Sequence, residues 1–109
     1  MNGEISIASG HGVKLVILIE VKPGEAQQQI DLYEKIRPLV LEEDGCLQYE
    51  LSRVAGCDNK FVLIECWESQ RHLALHEKTP HMIEADAISP SFRASPATVL
   101  HLDSLNITT

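Results

Sequence analysis

Two stretches of the chain, residues 13–22 and 61–68, carry apolar side chains at most positions. Their content of valine, isoleucine, leucine and phenylalanine is typical of β-strands. A strand points successive side chains to opposite sides of its sheet, so strands that are apolar at odd and even positions need cover on both faces. The sequence therefore predicts that these stretches are the central strands of a sheet with a different layer on each side.

Two further strands are predicted at the edges of this sheet. In residues 46–54, Leu47, Tyr49 and Leu51 alternate with polar side chains, which indicates one dry face and one wet face. Residues 97–103 alternate in a similar way and form the last predicted strand. A strand with only one dry face suits the edge of a sheet better than its centre.

The segments between these strands are predicted to be helical. The first helix covers residues 25–43, where apolar side chains recur at steps of three and four residues: Ile30, Tyr33, Ile36 and Val40. Pro38 lies inside this helix and is expected to kink it or to begin a second segment, since proline removes one hydrogen bond. Ser69 is a suitable N-cap for a helix over residues 70–78, and a second short helix is predicted over residues 81–88.

The order of elements, β-α-β-β-α-β, is that of an α+β ferredoxin-like fold, with an antiparallel sheet and helices on one face. Residues 13–104 would form this domain, with a flexible arm over residues 1–12 and a tail over residues 105–109. The helices leave the other apolar face of the sheet exposed, which is unfavourable. A second copy of the chain is the simplest cover, so a homodimer is predicted; a different partner protein or a long arm are the alternatives.

The charge and composition of the chain narrow its partners. A formal net charge of −7 over 109 residues argues against nucleic acid and an anionic membrane surface, because both attract clustered Lys and Arg. No apolar run reaches the roughly 18 residues of a membrane span, and residues 1–12 lack the pattern of a signal peptide. The three cysteines lack CxxC spacing, so free thiols and a cytoplasmic location are predicted.

Three histidines, His72, His76 and His81, lie close together in the sequence. With Glu68 they have a spacing that could bind a metal ion. The helical period, however, turns His76 towards the core with Leu73 and leaves His72 at the margin, so a metal is not predicted. His76 is either a core histidine bonded to a backbone carbonyl or an acid–base group in a pocket. His81 is either a second pocket group or an exposed residue at a helix start.

Glu65 and Trp67 share one face of the second central strand. A carboxylate there must be paired or must line a cavity, because a buried unpaired charge is costly. Trp67 belongs either to the core or to the wall of a pocket. Tyr33 and Tyr49 are core candidates whose hydroxyl groups need partners. No glycine-rich phosphate loop or nucleophile elbow is present, so no nucleotide, haem, flavin or iron–sulfur cofactor is predicted.

Four short motifs carry a resemblance to a known family. Its pattern has an acidic residue before Gly-Cys, a Tyr three residues after that Cys, a Glu-x-Trp on the third strand, and a His followed five residues later by the His of a Pro-His pair. The chain contains all of them: Asp44-Gly45-Cys46 with Tyr49, Glu65-Cys66-Trp67, His76 and Pro80-His81. Over residues 13–103 the chain therefore resembles the antibiotic biosynthesis monooxygenase domain family, in particular its small quinol-monooxygenase-like members.

The resemblance implies a dimer whose strands form a shared α+β barrel, and a monooxygenase that oxidises a small quinol or phenolic compound with O₂ and without a cofactor. It assigns acid–base or oxyanion-binding roles to His76 and His81, with Glu65 orienting one of them. It also implies a substrate pocket at three aromatic residues: Trp67, Tyr49 and Tyr33. The alternatives are a related cofactor-free isomerase that acts by proton transfer, and a non-catalytic dimeric module that binds a small ligand.

Overall fold

The computed structural model describes residues 12–103 and residue 105. Its four strands are β1 (Val13–Glu20), β2 (Cys46–Arg53), β3 (Lys60–Trp67) and β4 (Thr98–Leu102), and they form one antiparallel sheet in the order β2-β3-β1-β4. The helices are α1 (Ala26–Leu41), α2 (Gln70–His76) and α3 (Pro80–Ile88), and a 3-10 helix, Ser89–Ser91, follows α3.

The predicted α+β ferredoxin-like fold is confirmed, and β1 and β3 are the central strands as predicted. The predicted arm lies outside the described residues apart from Gly12, and the predicted tail lies outside them apart from Leu105. Within the described part of the chain, no helix combines the length and the apolar character that a membrane span needs.

The face of the sheet that the helices cover carries the hydrophobic core. In the strand register, Glu65 of β3 lies between Leu15 of β1 and Tyr49 of β2. Other buried side chains of this face pack against the helices: Leu15, Ile19, Phe61, Leu63 and Trp67 against Leu32, Ile36, Val40, Leu73 and Ala85. Burial of each large apolar side chain stabilises the fold by about 1.5–3 kcal/mol. The buried carboxyl group of Glu65 therefore stands in an otherwise apolar layer.

Helix α1 continues through Pro38, so of the two alternatives predicted for this proline, a kink and a second segment, the second segment is not formed. Pro38 lies on the exposed side of the helix, where water can bond the carbonyl that loses its partner. The buried stripe is also rotated, because Gln29 and Leu32 are buried while Ile30 and Tyr33 are only partly buried. A hydrophobicity pattern does not find Gln29, since its side chain is polar.

Strand β2 contains a β-bulge, which the alternating pattern did not predict. Its pairing with β3 shifts between Cys46 and Gln48. A bulge adds one residue to a strand, so side chains on either side of it lose the regular alternation. The prediction that Leu47 shares the dry face with Tyr49 is therefore wrong: Leu47 is 62% exposed, and Cys46 packs against the core instead.

The second face of the sheet is apolar and open to solvent in the single chain. Val16 lies between Ile64 and Leu100 in the strand register, and Leu18 lies beside Val62. Leu18 and Leu100 are 42% and 44% exposed. The sheet is not closed, since β2 and β4 form its two edges. A barrel would therefore need strands from outside the described part of this chain.

The turn between α1 and β2 brings the end of α1 against α2. Gly45 in this turn has a φ of 83°, a left-handed conformation that favours glycine. A Cβ atom at Gly45 would overlap the imidazole ring of His72, so only glycine allows this approach. Ser69 caps α2 as predicted, because its hydroxyl oxygen accepts a hydrogen bond from the backbone N–H of His72. The close packing places Glu43, just before the turn, beside the last turn of α2.

Candidate functional site

A cavity of about 200 Å³ lies between the helix-covered face of the sheet and helices α1 and α3. Leucine and isoleucine side chains form much of its wall, as is usual for a site that binds a small molecule. The predicted site residues Glu65, His76, Tyr49 and Tyr33 all line this cavity. The fold therefore brings together side chains from β2, β3, α1 and α2 around one cavity.

His76 and His81 are held by a single carboxylate, that of Glu43. The Nδ1 atom of His76 lies 3.0 and 2.9 Å from the two carboxylate oxygens, and the Nε2 atom of His81 lies 2.7 Å from Oε2. A carboxylate accepts hydrogen bonds, so Nδ1–H of His76 and Nε2–H of His81 are the donors. This pairing selects the Nδ1–H tautomer of His76 and leaves a lone pair on its Nε2 atom.

His76 lines the cavity, and because its Nδ1 atom is bonded to Glu43, its Nε2 atom is the ring nitrogen that is left to meet a bound molecule. The side chain is 2% exposed, and its ring packs on Trp67 with the ring centroids 4.5 Å apart. The Nε2 atom lies 3.8 Å from Oε1 of Glu65, which is too far for a hydrogen bond. Among the described residues no other group bonds this nitrogen. It can therefore accept a proton from a molecule that occupies the cavity.

Glu65 places a buried carboxyl group in the cavity wall. Nε1–H of Trp67 donates a hydrogen bond to its Oε1 atom at 2.9 Å. Burial raises the pKa of Glu65, and the hydrogen bond from Trp67 only partly offsets this effect. The carboxyl group consequently keeps its proton to a higher pH than an exposed glutamate does. It can act as a hydrogen-bond donor or as an acid towards a bound molecule.

Glu43 is the residue of this site that the sequence did not predict. The resemblance assigned the orientation of a histidine to Glu65, but both histidines donate their hydrogen bonds to the carboxylate of Glu43. Glu43 precedes His76 by 33 positions and stands in an acidic run with Glu42 and Asp44. No spacing rule separates it from these neighbours, so only the packing of the turn identifies it.

Tyr49 contributes a hydroxyl group to the cavity. The residue is 3% exposed, and burial raises its pKa, an effect that the charge of Glu65 reinforces. Its hydroxyl makes no hydrogen bond to a described residue, yet within residues 12–103 no fully buried side-chain nitrogen or oxygen lacks a partner. The hydroxyl group is therefore accessible from the cavity and remains protonated. Tyr33 supports this strand, since its hydroxyl donates to the backbone carbonyl of Tyr49 at 3.1 Å.

Three other candidate side chains do not line the cavity. Trp67 is fully buried and lies against His76 and Glu65 rather than at the cavity surface. His81 reaches Glu43 from the first turn of α3. His72 lies at the margin, as the helical period predicted, with Nδ1 2.7 Å from the hydroxyl of Ser69. Trp67 and His81 therefore contact Glu65, His76 or Glu43 rather than the cavity itself.

A metal ion could also be held at this site. One ligand atom from each of Glu43, His76 and His81 lies within 4.8 Å of the others. Two imidazoles and one carboxylate are a common donor set for Fe²⁺ and, with an open position, for Zn²⁺. An ion bound there would replace the hydrogen bonds between the histidines and Glu43. His76 could therefore not bind such an ion and keep its hydrogen bond to Glu43 at the same time.

Replacing Glu65 by glutamine is expected to remove a pH-dependent loss of stability. Because the folded protein holds this proton more tightly than the unfolded chain, wild-type stability falls as the pH rises above 4.5, the ordinary pKa, and through the folded-state pKa. Glutamine keeps an oxygen for Trp67 and carries no charge. Thermal unfolding between about pH 4 and about pH 8 should therefore show the wild type losing stability relative to Glu65→Gln.

The exposed residue Glu68 gives a matched control for this measurement, because Glu68→Gln removes a nearby carboxylate that is not buried. The difference between this variant and the wild type should not follow the same trend. A stability difference between wild type and Glu65→Gln that stays constant over the pH range would contradict the role assigned to the buried carboxyl group.

Comparison with known proteins gives a family match over most of the chain. Residues 12–87 match the family model described as "Antibiotic biosynthesis monooxygenase". The protein named "Probable quinol monooxygenase YgiN" of Escherichia coli (strain K12) is 38% identical over 74 residues, which cover 59% of this chain and 71% of that protein. The "Uncharacterized protein sll1783" of Synechocystis sp. is 31% identical over 81 residues, which cover 74% of this chain and 55% of that protein.

The crystal structure of PA3566 from Pseudomonas aeruginosa has a similar fold. It superposes with a TM-score of 0.81 at 23% sequence identity, and the match covers 87% of this chain and 95% of that chain. At this level of identity the similarity concerns the fold, and it agrees with the sheet and helix arrangement described above.

Proposed function

The chain belongs to the antibiotic biosynthesis monooxygenase family, and on this premise we propose that it is a monooxygenase that oxidises a small quinol or phenolic compound with O₂. The main support is the geometry of His76, whose Nδ1–H is held by Glu43 and whose Nε2 atom is left to meet a molecule in the cavity. YgiN is named as a probable quinol monooxygenase, which supports a quinol as the class of substrate.

In the proposed first step, His76 removes the proton of a substrate hydroxyl group through its Nε2 atom. The proton forms an imidazolium ion, and the carboxylate of Glu43 stabilises it through the Nδ1–H hydrogen bond. The hydroxyl of Tyr49 and the carboxyl group of Glu65 donate hydrogen bonds to the substrate oxygen, which carries the developing negative charge. The apolar walls exclude water, so these interactions act at low dielectric.

In the proposed second step, the deprotonated quinol passes one electron to O₂, which yields a semiquinone radical and superoxide. The two radicals combine in a new bond between oxygen and a ring carbon, and protonation gives a hydroperoxide. That ring carbon then loses its proton while the O–O bond breaks. One oxygen atom stays on the ring of a hydroxylated quinone, and the other leaves as water. The quinol supplies all the electrons, so the proposal requires no further reductant.

Three neighbouring side chains have supporting roles in this proposal. Trp67 donates a hydrogen bond from its indole N–H to Glu65, and its ring packs against the ring of His76. His81 donates a hydrogen bond to the Oε2 atom of Glu43, which His76 also contacts, and so restricts the rotation of the carboxylate. Tyr33 lines the cavity and fixes the strand that carries Tyr49.

A proton-transfer isomerase is the second candidate function. Its support is specific: a histidine with a free lone pair and a carboxyl group with a raised pKa lie 3.8 Å apart at their closest polar atoms. Such a pair can remove a proton at one carbon and return it at another. This reaction consumes no O₂, which separates it from the first proposal.

The proposed function is tested by O₂ uptake. We expect purified protein to consume O₂ with at least one member of a panel of quinols, naphthoquinols and anthrones, faster than the compound oxidises alone. The rate should persist after dialysis against a chelator, because the proposed steps use no metal. Uptake that disappears with chelator and returns with Fe²⁺ would favour a metal at Glu43, His76 and His81. Absence of uptake with every compound would contradict the proposal.

We also propose that a second copy of the chain covers the apolar outer face of the sheet and completes a barrel. The support is the row of partly exposed apolar side chains on this face, which includes Val16, Leu18 and Leu100. Contiguous apolar surface of this kind commonly marks a protein interface. The absence of nucleic-acid or membrane partners and a cytoplasmic location remain predictions from charge and composition.

The variant Leu18→Glu is expected to weaken this dimer by about 100-fold or more, because an unpaired charge buried in an interface costs several kcal/mol. Light scattering should show wild type at twice the chain mass of 12.1 kDa and the variant shifted towards the monomer. Ile83→Glu is the control, since Ile83 is 60% exposed on α3, away from this face. A monomeric wild type, or an equal effect of both variants, would contradict the proposed interface.

A further inference from the structure

The cavity has a second polar region, formed by Arg93 and Gln29, which the proposed chemistry does not use. Both side chains line the same cavity as Glu65 and His76. Nε–H of Arg93 donates a hydrogen bond to Oε1 of Gln29 at 3.1 Å. Gln29 itself is 3% exposed, so this amide is buried and its position is fixed by packing. Gln29 therefore holds the guanidinium group in one orientation at the cavity.

The remaining donors of Arg93 are available to a ligand. Its terminal nitrogen atoms make no hydrogen bond or ion pair with a described residue. In the part of the chain that the structure describes, no fully buried side-chain nitrogen or oxygen lacks a partner, so these atoms reach accessible space. Burial lowers the pKa of Arg93, which reflects a charge that has lost part of its hydration. A cation in this state binds an anion more strongly than an exposed arginine does.

Arg93 also stands where the cavity meets the surface. Asp86, Ser89, Arg93 and Ala97 line both the cavity and an adjoining groove that continues over Ser95 and Pro96. A ligand that enters through this groove passes the guanidinium group before it reaches His76. The carboxylate of Asp86 is exposed at this opening, so water and salt weaken its effect on the charge inside.

We propose that Arg93 and Gln29 form a subsite for a carboxylate group, and that the substrate is a hydroxylated aromatic compound that carries such a group. The planar fork of a guanidinium matches a carboxylate with two parallel hydrogen bonds. The acid group lies at the opening and the hydroxyl to be oxidised points inward to His76. The position of this hydroxyl rests on the function proposed above; the anion subsite follows from the arrangement of Arg93 alone.

The test measures binding without turnover. Calorimetric titration under anaerobic conditions compares 2,5-dihydroxybenzoate with 2,5-dihydroxybenzamide, which has the same shape and no charge. We expect wild type to bind the acid about tenfold more tightly than the amide, a typical effect of a charge-assisted pair. Arg93→Gln should abolish this preference, and Arg93→Lys should retain part of it because it keeps the charge and loses the fork.

Each outcome decides the proposal. A preference for the acid that disappears in Arg93→Gln and persists in part in Arg93→Lys supports the subsite. This result would stand even if no quinol gave O₂ uptake. In that case only the proposed monooxygenase activity would fail. Equal affinity for acid and amide, a preference unchanged in Arg93→Gln, or no binding of the acid to wild type would overturn the subsite. Thermal unfolding of both variants, compared with wild type, identifies a loss of binding that comes from unfolding.

Discussion

Replacing His76 by alanine is expected to lower kcat for O₂ uptake by about 10²–10⁴-fold, the usual contribution of a general base. The variant loses the nitrogen that faces the cavity and leaves Glu43 with one imidazole partner instead of two. Steady-state O₂ uptake with the best compound of the quinol panel measures the effect. Addition of free imidazole should restore part of the activity, because a small base can enter the space that the side chain leaves.

His72 provides the control for His76→Ala. It lies on the same helix, one turn earlier, and contacts Ser69 and the turn at Gly45 rather than the cavity. His72→Ala should keep the wild-type rate in protein that remains folded. If His76→Ala retained wild-type kcat, or if imidazole failed to rescue it while His72→Ala lost as much activity, His76 would not be the base.

Replacing Glu43 by glutamine is expected to lower kcat by about 10²-fold or more, with a smaller change in KM. An amide cannot stabilise the imidazolium as a carboxylate does, and its NH₂ group can favour the wrong tautomer of His76. Glu43 does not line the cavity, so substrate binding should change little. The experiment measures kcat and KM separately with the same quinol substrate.

Glu42 is the matched control, because Glu42→Gln changes the neighbouring carboxylate, which is exposed at the end of α1. It should leave both kinetic constants unchanged. An increase in KM at constant kcat in Glu43→Gln would assign Glu43 to substrate binding. Unchanged kinetics in that variant would remove it from the mechanism.

The sheet and its strand order could be predicted because they depend on the pattern of apolar side chains along each strand. Alternation along a strand depends only on the direction of successive side chains, and the central position of β1 and β3 follows from apolar residues on both faces. The inward direction of His76 follows from the helical period in the same way. These features do not require knowledge of which distant segment packs on them.

The features of the fold that the sequence did not predict, at Leu47 and Gln29, also have physical causes. Leu47 points outward because a bulge interrupts the pairing of β2 with β3, and the alternating pattern of one strand contains no information about that pairing. Gln29 escaped notice because it is polar, and its hydrogen-bond partner, Arg93, lies 64 positions later. Hydrophobicity patterns identify side chains that avoid water, and they do not identify polar side chains that satisfy each other at a distance.

Periodicity and short motifs were sufficient to predict the α+β ferredoxin-like fold, the family resemblance and the inward position of His76. The nitrogen of His76 that faces the cavity could not be predicted in this way. That choice depends on Glu43, which reaches the histidine because Gly45 lets α1 end against α2. The hydrogen bond joins residues 33 positions apart, and such a contact arises from packing rather than from any pattern within one element.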